Sequence, residues 1–323
     1  MKKFLVCLLF LMSISPSLAL AQVKKTFTIG ITPWTSDPDY DRNIQGFKDG
    51  LAEKGYREGK NVKYILKNPQ ANVDNQIEII QSFVDQKVDL IYSLTTPGTL
   101  IAKGVTSNTP IVFSIVTYPV ETGVVESLTS SGNNLTGTRN YVPASRQYFY
   151  FEKIYPNTKT LAFVYRKGEP NSVIQYQEFK EYLDKRKITL LDIAAIDLDD
   201  IREKLKSNGE KIDALFGACG TLIQVGGAEV INEFSRQFKK PSFSCIEEGV
   251  RTGALTGVVK DIYAIGKASG EKAALILEGV EPSRIQVEAP TEDVLIVNTK
   301  TAKELGLTVP SDVLSKAKEI IDH

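Results

Sequence analysis

The chain has 323 residues and balances 39 Lys and Arg against 39 Asp and Glu, so it lacks the basic excess that nucleic acid or an anionic membrane surface selects. Its only histidine is His323, which excludes any mechanism or metal site that needs an internal imidazole. The length is ample for two separate cores.

The first residues have the order of an export signal: Lys2 and Lys3, an apolar run from Phe4 to Met12, Pro16, then Ala19-Leu20-Ala21, with cleavage expected after Ala21. The run is too short to remain as a membrane anchor. Cleavage leaves 37 basic against 39 acidic side chains, a net charge of about minus two. The expected product is a soluble periplasmic protein. Cys7 lies inside the apolar run, without the Leu-x-x-Cys pattern that lipid attachment requires at the cleavage point.

Strand-like runs then recur with helical stretches between them: 26–31, 61–66, 88–94 and 110–116 in the first half, and 160–165, 188–193, 212–218, 241–244 and 254–259 in the second. Such alternation predicts parallel sheets covered on both faces. Tyr40, Ile44, Phe47 and Leu51 mark one face of a helix that stops at Gly55, and Ile77, Ile80 and Val84 repeat that spacing. Ser172 with Gln175 has the spacing of a capping box, followed by an apolar face of Tyr176, Phe179 and Leu183. A helix over 262–278, rich in small residues, and a strand over 294–298 complete the chain.

The halves echo one another. Lys87-Val88-Asp89-Leu90-Ile91-Tyr92 leads to Gly98-Thr99, as Lys211-Ile212-Asp213-Ala214-Leu215-Phe216 leads to Gly220-Thr221; Pro110 and Pro241 then open a further strand. Two lobes of similar architecture are expected, one from 22–139 plus 261–290 and the other from 140–260 plus 291–323. The join near 136–142 reads as a short crossover.

In a covered parallel sheet, ligands sit beyond the carboxyl ends of the strands, where helix N-termini present free N–H groups. The stretch Thr95-Thr96-Pro97-Gly98-Thr99 would form a polar cup there, although the same residues cap helices in proteins that bind nothing. Thr32 and Trp34, Thr117 and Tyr118, Tyr165 with Glu169, Asn171 and Ser172, Cys219-Gly220-Thr221, and Glu247 occupy the other strand ends. Aromatics at such ends stack on flat ligands or simply pack, and Glu247 equally suits the first turn of a helix.

Catalytic motifs are absent: no phosphate-binding Gly-x-x-x-x-Gly-Lys, no Gly-x-Ser-x-Gly elbow and no histidine partner for a cysteine nucleophile. No cofactor or metal is expected. Carboxylates alone would still allow a cleft hydrolase using Glu169 and Glu247. After cleavage Cys219 and Cys245 remain. They follow strands expected to be neighbours near the cleft, and a bridge or two small core thiols are both open.

Segments 29–32 (IGIT), 45–70 (QGFKDGLAEKGYREGKNVKYILKNPQ), 88–97 (VDLIYSLTTP), 110–128, 133–138 (NNLTGT), 168–172 (GEPNS), 253–257 (GALTG), 263–279 and 298–310 resemble, in order, the ABC-transporter substrate-binding proteins that include tryptophan- and tyrosine-binding members. The resemblance implies a type I periplasmic-binding-protein fold, two Rossmann-like α/β lobes that close over a small molecule and deliver it to a membrane permease. A membrane sensor is the alternative partner, and a monomer is expected. By matching positions, the ligand contacts implied are Thr32, Trp34, Thr96, Pro97, Gly98, Thr117, Glu169, Asn171, Ser172, Gly220 and Glu247. Three positions depart from the family pattern. Cys219-Gly220-Thr221 replaces Thr-Asp-Asn, Tyr118 replaces Asp, and Ile246 stands where an acidic residue is common. Losing a buried carboxylate partner costs an ammonium ligand roughly 2–5 kcal/mol unless another group replaces it; Glu169 and Glu247 are the candidates.

Overall fold

The computed structural model describes residues 26–323; the export signal, its cleavage point and Cys7 lie outside the described residues. The apolar runs of the first half become β1 (Phe27–Thr32), β2 (Val62–Leu66), β3 (Leu90–Leu94) and β4 (Ile111–Ser114), which with β5 (Leu135–Thr138) form a five-stranded parallel sheet in the order β2-β1-β3-β4-β5. Both faces of β3 and β4 are buried, as an uninterrupted apolar strand requires. In the second half β6 (Thr160–Arg166), β7 (Thr189–Ala195), β8 (Ala214–Gly217), β9 (Ser242–Ser244) and β10 (Thr256–Val259) repeat the same order, β7-β6-β8-β9-β10. The echoed sequences Leu90–Tyr92 and Ala214–Phe216 thus lie on the equivalent strands β3 and β8. This sheet is extended by β11 (Val294–Asn298), antiparallel to β10, and by β12 (Glu319–Ile321), making seven strands.

Helices α1 (Pro38–Glu53), α2 (Val73–Asp85) and α3 (Thr96–Val105) connect the first strands, and α4 (Ala144–Ile154) to α8 serve the second sheet: α5 (Pro170–Asp184), α6 (Leu198–Asn208), α7 (Ala228–Phe238) and α8 (Glu247–Arg251). The chain then returns through α9 (Ile262–Leu277) and ends with α10 (Thr299–Glu304) and α11 (Ser311–Leu314) around the last strands. Among the described residues no helix is long and apolar enough to cross a membrane.

α9 lies directly on α1, and the small residues of both explain how. A Cβ on Gly46 would lie 2.2 Å from the Tyr263 carbonyl oxygen, and one on Gly266 only 2.0 Å from that of Asn43. Gly50 and Gly270 repeat the arrangement one turn on. The two backbones therefore touch, anchoring the returning helix to the first sheet. The second lobe is instead held by aromatics. Phe179, Phe216 and Phe243 stack in series with centroids 4.5 Å apart, and Phe151 meets Phe243 at 4.5 Å, each buried ring contributing roughly 1.5–3 kcal/mol.

Three expectations need correction. The 136–142 join is not all crossover, because Leu135–Thr138 pairs with β4 as a strand and only the following residues cross; its sequence, LTGT, carries too few apolar residues to announce a buried strand. The inward face of α2 is Gln76, Ile80 and Phe83 rather than Ile77, Ile80 and Val84, with Ile77 42% exposed. Gln76 turns inward because its side chain receives a hydrogen bond from Thr32. Ser172 is not an N-cap: α5 starts at Pro170 with Glu169 in the cap position and no side-chain cap bond. Ser172 and Gln175 are buried and face other partners.

Candidate functional site

The carboxyl ends of the two parallel sheets face each other, and two adjoining chambers of about 30 Å³ each lie between them. Tyr40, Ile115, Asn140, Gln224 and Ile246 line both. The first chamber adds Thr95 and Thr96 from the end of β3, and Glu169, Asn171, Cys219, Gly220 and Thr221 from the ends of β6 and β8. The second adds Asp39, Cys245, Glu247 and Lys260. Every wall is a strand end or helix start, as the topology of such sheets dictates.

Glu169 is 4% exposed, as deeply buried as Glu247. Its two oxygens accept the Thr221 backbone N–H at 3.0 and 3.1 Å, and the Ser172 hydroxyl donates to it at 3.3 Å. Burial pushes its carboxyl above the usual carboxylate range, opposed by the Thr221 amide and the Arg166 charge. Gly220 makes this approach feasible, because a Cβ there would stand 2.4 Å from Ser172 Oγ and 2.7 Å from Glu169 Oε2. Beside it, Asn171 Nδ2 donates to the Cys219 carbonyl at 2.7 Å. Asn171 Oδ1 is buried without a protein partner in a residue lining the same chamber. An unpaired buried acceptor costs about 1–3 kcal/mol, which a donor on a bound molecule would recover. The facing wall holds two β-branched residues in the left-handed region, Thr95 at φ 70° and Ile115 at φ 56°. Such backbone costs of order 1–3 kcal/mol and persists where surrounding structure enforces it, often at functional sites.

Polar contacts cross between the lobes around the chambers. Arg42 of α1 donates to Glu247 at 2.8 Å, and Arg251 reaches the same Glu247 oxygen at 3.0 Å. Gln224, from an irregular turn ahead of α7, donates to Asp37 at 3.0 Å and Asp39 at 3.3 Å. Burial raises both aspartates, and Asp39 is raised further by the Glu247 charge. Tyr118 donates to Glu178 of α5 at 2.6 Å, and Tyr141 to the other oxygen of that carboxylate at 3.0 Å; burial holds the Tyr118 phenol well above its ordinary range.

Of the residues singled out from sequence, Thr96, Glu169, Asn171, Gly220 and Thr221 meet in the first chamber and Glu247 lines the second. Thr95, Cys219 and Ile246 also line the first chamber and Cys245 the second, whereas Thr32, Trp34, Pro97, Gly98, Thr117, Tyr118, Tyr165 and Ser172 line neither. Ser172 supports Glu169, and Thr117 donates to Asn140 at 3.0 Å, so both act one residue away. Thr32 donates to Gln76, whose amide lies 3.4 Å from the Gly98 carbonyl, steadying the start of α3 with Pro97 at its second position. Trp34 packs in the first core, Tyr118 bridges to Glu178, and Tyr165 stacks on Tyr176 away from the chambers. Cys219 and Cys245 are joined as a disulfide with Cα atoms 5.5 Å apart.

Sequence reading missed Tyr40, Ile115, Asn140, Gln175, Gln224 and Lys260. Tyr40 is recognisable only as a helix-face residue, and Ile115 as strand interior; its left-handed backbone has no sequence signal. Gln175 has the spacing of a cap residue. It instead accepts from the Cys219 N–H at 2.8 Å.

A family model described as ABC transporter substrate binding protein matches residues 28–321. A tyrosine-binding protein of Clostridioides difficile (strain R20291) is 31% identical over 284 residues, 88% of this chain and 82% of its own length. A solved ABC domain from Streptococcus pneumonia in complex with L-Trp superposes with a TM-score of 0.87 at 28% identity, over 92% of this chain and 100% of that one. A ligand-free, open substrate-binding protein with adhesive properties from Clostridium difficile covers the same shares at 26% identity with a TM-score of 0.73.

Proposed function

This chain belongs to the family of ABC transporter substrate-binding proteins, extracytoplasmic receptors that hand small molecules to a membrane permease, and we propose that its ligand is gripped by both lobes in the paired chambers. Its lobes are then 22–139 plus 261–290 and 140–260 plus 291–323, a division supported by the packing of α9 on α1 and by the place of β11 in the second sheet. The export signal ends at Ala21 and the mature protein works in the periplasm, binding without turnover.

The observation that carries the site is the buried pair of acceptors, the Glu169 carboxylate and the unpartnered Asn171 Oδ1, on two residues that line the first chamber. Together they suit a ligand that presents a protonated nitrogen. Thr95, Thr96 and the start of α3 stand on the first-lobe side of that chamber, where backbone N–H groups and the helix dipole favour an anionic group. A zwitterionic, amino-acid-like ligand matches the charge preference of both walls, and because chambers of about 30 Å³ each hold little more than a water, it enters when the lobes part. Glu169 thereby takes over the ammonium from the acidic position that Gly220 leaves empty. The greater likeness to the L-Trp complex than to the open structure supports a closed arrangement of the lobes.

Native mass spectrometry of gently purified protein should show one small amine-bearing molecule bound, and calorimetry with L-tyrosine and L-tryptophan tests the amino-acid class directly. Replacing Glu169 by Gln should weaken binding by roughly 2–5 kcal/mol. Equal affinity in wild type and variant would overturn the assignment.

A further inference from the structure

Resting on that reading of the chambers, we infer that the Cys219–Cys245 disulfide is a positioning element of the ligand site, tying together the two second-lobe loops that hold Glu169 and face Arg42. The hydrogen-bonded register of β8 with β9 runs through Leu215–Ser242 and Phe216–Phe243 to Gly217–Ser244 and stops there. The next residues on each strand are the ones that must reach the ligand. Cys219 and Cys245 stand just beyond the last pair, so the covalent link continues the ladder where hydrogen bonds end.

Each cysteine borders a different chamber, Cys219 the one containing Glu169 and Cys245 the one containing Glu247. The Cys219 side is fastened from α5 at every polar atom. Gln175, 1% exposed, accepts from the Cys219 N–H at 2.8 Å and places its Nε2 3.3 Å from the sulfur, while Asn171 Nδ2 donates to the Cys219 carbonyl. Two residues further, the Thr221 N–H rests on Glu169. On the other side, Cys245 is followed by Ile246 and Glu247, the residue that Arg42 reaches across the cleft. A shift of either loop therefore moves a group that binds the ligand or closes the lobes. Asn171, which lines the first chamber, owes its orientation to the Cys219 carbonyl, so the same tie fixes this part of the chamber wall.

Cys219 is half-buried and Cys245 is 8% exposed, so reduction is run with excess dithiothreitol and its completion checked by thiol titration. Dithiothreitol supplies two electrons: the sulfur–sulfur bond breaks, each cysteine sulfur takes up one proton, and the dithiol leaves as a cyclic disulfide.

Hydrogen exchange read by mass spectrometry decides the inference on oxidised protein, on dithiothreitol-reduced protein and on the Cys219→Ser/Cys245→Ser variant. Amides in peptides covering 217–224 and 243–249 should exchange about tenfold faster without the bond, while those of β6 and β7 stay unchanged. Calorimetry on the same samples should show affinity for L-tyrosine or L-tryptophan falling about tenfold. Unchanged exchange in both loops would overturn the inference, as would equal acceleration throughout the second sheet, the behaviour of a plain structural staple. Two free thiols on titrating the processed, unfolded, unreduced protein would overturn it too. Should oxidised protein bind neither amino acid, the ligand class fails while the exchange data still judge the crosslink.

Discussion

Glu169 is held where its charge is unfavourable. Its carboxyl is raised by burial, so the folded protein holds that proton more tightly than the unfolded chain does. Stability from this group is fully present below the ordinary carboxylate range and lost as pH rises through the raised value. In Glu169→Gln that loss disappears: the variant should match wild type in acid and exceed it in melting temperature near neutral pH, while binding more weakly, the usual exchange of stability for function. A melting-temperature profile against pH checks this, and parallel profiles for the two proteins would contradict it. Gly220→Ala should act in the opposite sense, crowding Ser172 and Glu169 and costing about 1–3 kcal/mol in urea unfolding along with affinity. Residues such as Glu169, Asn171 and Thr221 were legible in the sequence because a polar residue after an apolar run marks a strand end. Tyr40, Ile115 and Gln224 were not, since nothing local distinguishes a helix-face tyrosine or a strand isoleucine that happens to point at a cleft.

At the level of elements, the strands were readable because they are buried on both faces and so uninterrupted in apolar character. β5 was lost because its neighbours, and not its own composition, bury it. The helices show the same division. The face of α1 follows its periodicity, whereas α2 is rotated by Gln76, whose partner Thr32 lies far away in sequence. Ser172 and Gln175 look like a cap because spacing alone cannot show that the helix began earlier, at Pro170. The α1–α9 contact carries its own prediction. Gly266→Ala places a methyl 2.0 Å from a backbone carbonyl oxygen that cannot yield as a side chain would. It should cost about 1–3 kcal/mol or more by urea unfolding, whereas Gly104, with nothing within 4 Å of a built Cβ, offers no such obstruction. A loss under 0.5 kcal/mol at Gly266 would mean that the helices part easily.

Across the whole molecule, the contact between the lobes puts Asp37 and Asp39 under Gln224 and Asp39 beside Glu247, with Arg42 and Arg251 as the facing cations. Both aspartates are raised in this arrangement, so closing takes up protons if the open form leaves them solvated. The closed form should then gain population as pH falls from neutral toward the ordinary carboxylate range and lose it as pH rises through the raised values. Small-angle scattering on ligand-free protein would show a smaller radius of gyration in mild acid. Asp37→Asn/Asp39→Asn should flatten that dependence, and Arg42→Ala, which removes the partner that Glu247 has on the other lobe, should open the lobes at every pH.

The most direct measurement is a crystal structure of the protein with the molecule that co-purifies with it. Its electron density should lie between the lobes, with a nitrogen within hydrogen-bonding reach of Glu169 and Asn171 Oδ1 and the remainder toward Thr95 and Thr96. Density elsewhere would contradict the account, for instance in the open groove of about 800 Å³ beside Phe149, Tyr150 and Tyr182 on the second lobe, with the chambers between the lobes left unfilled.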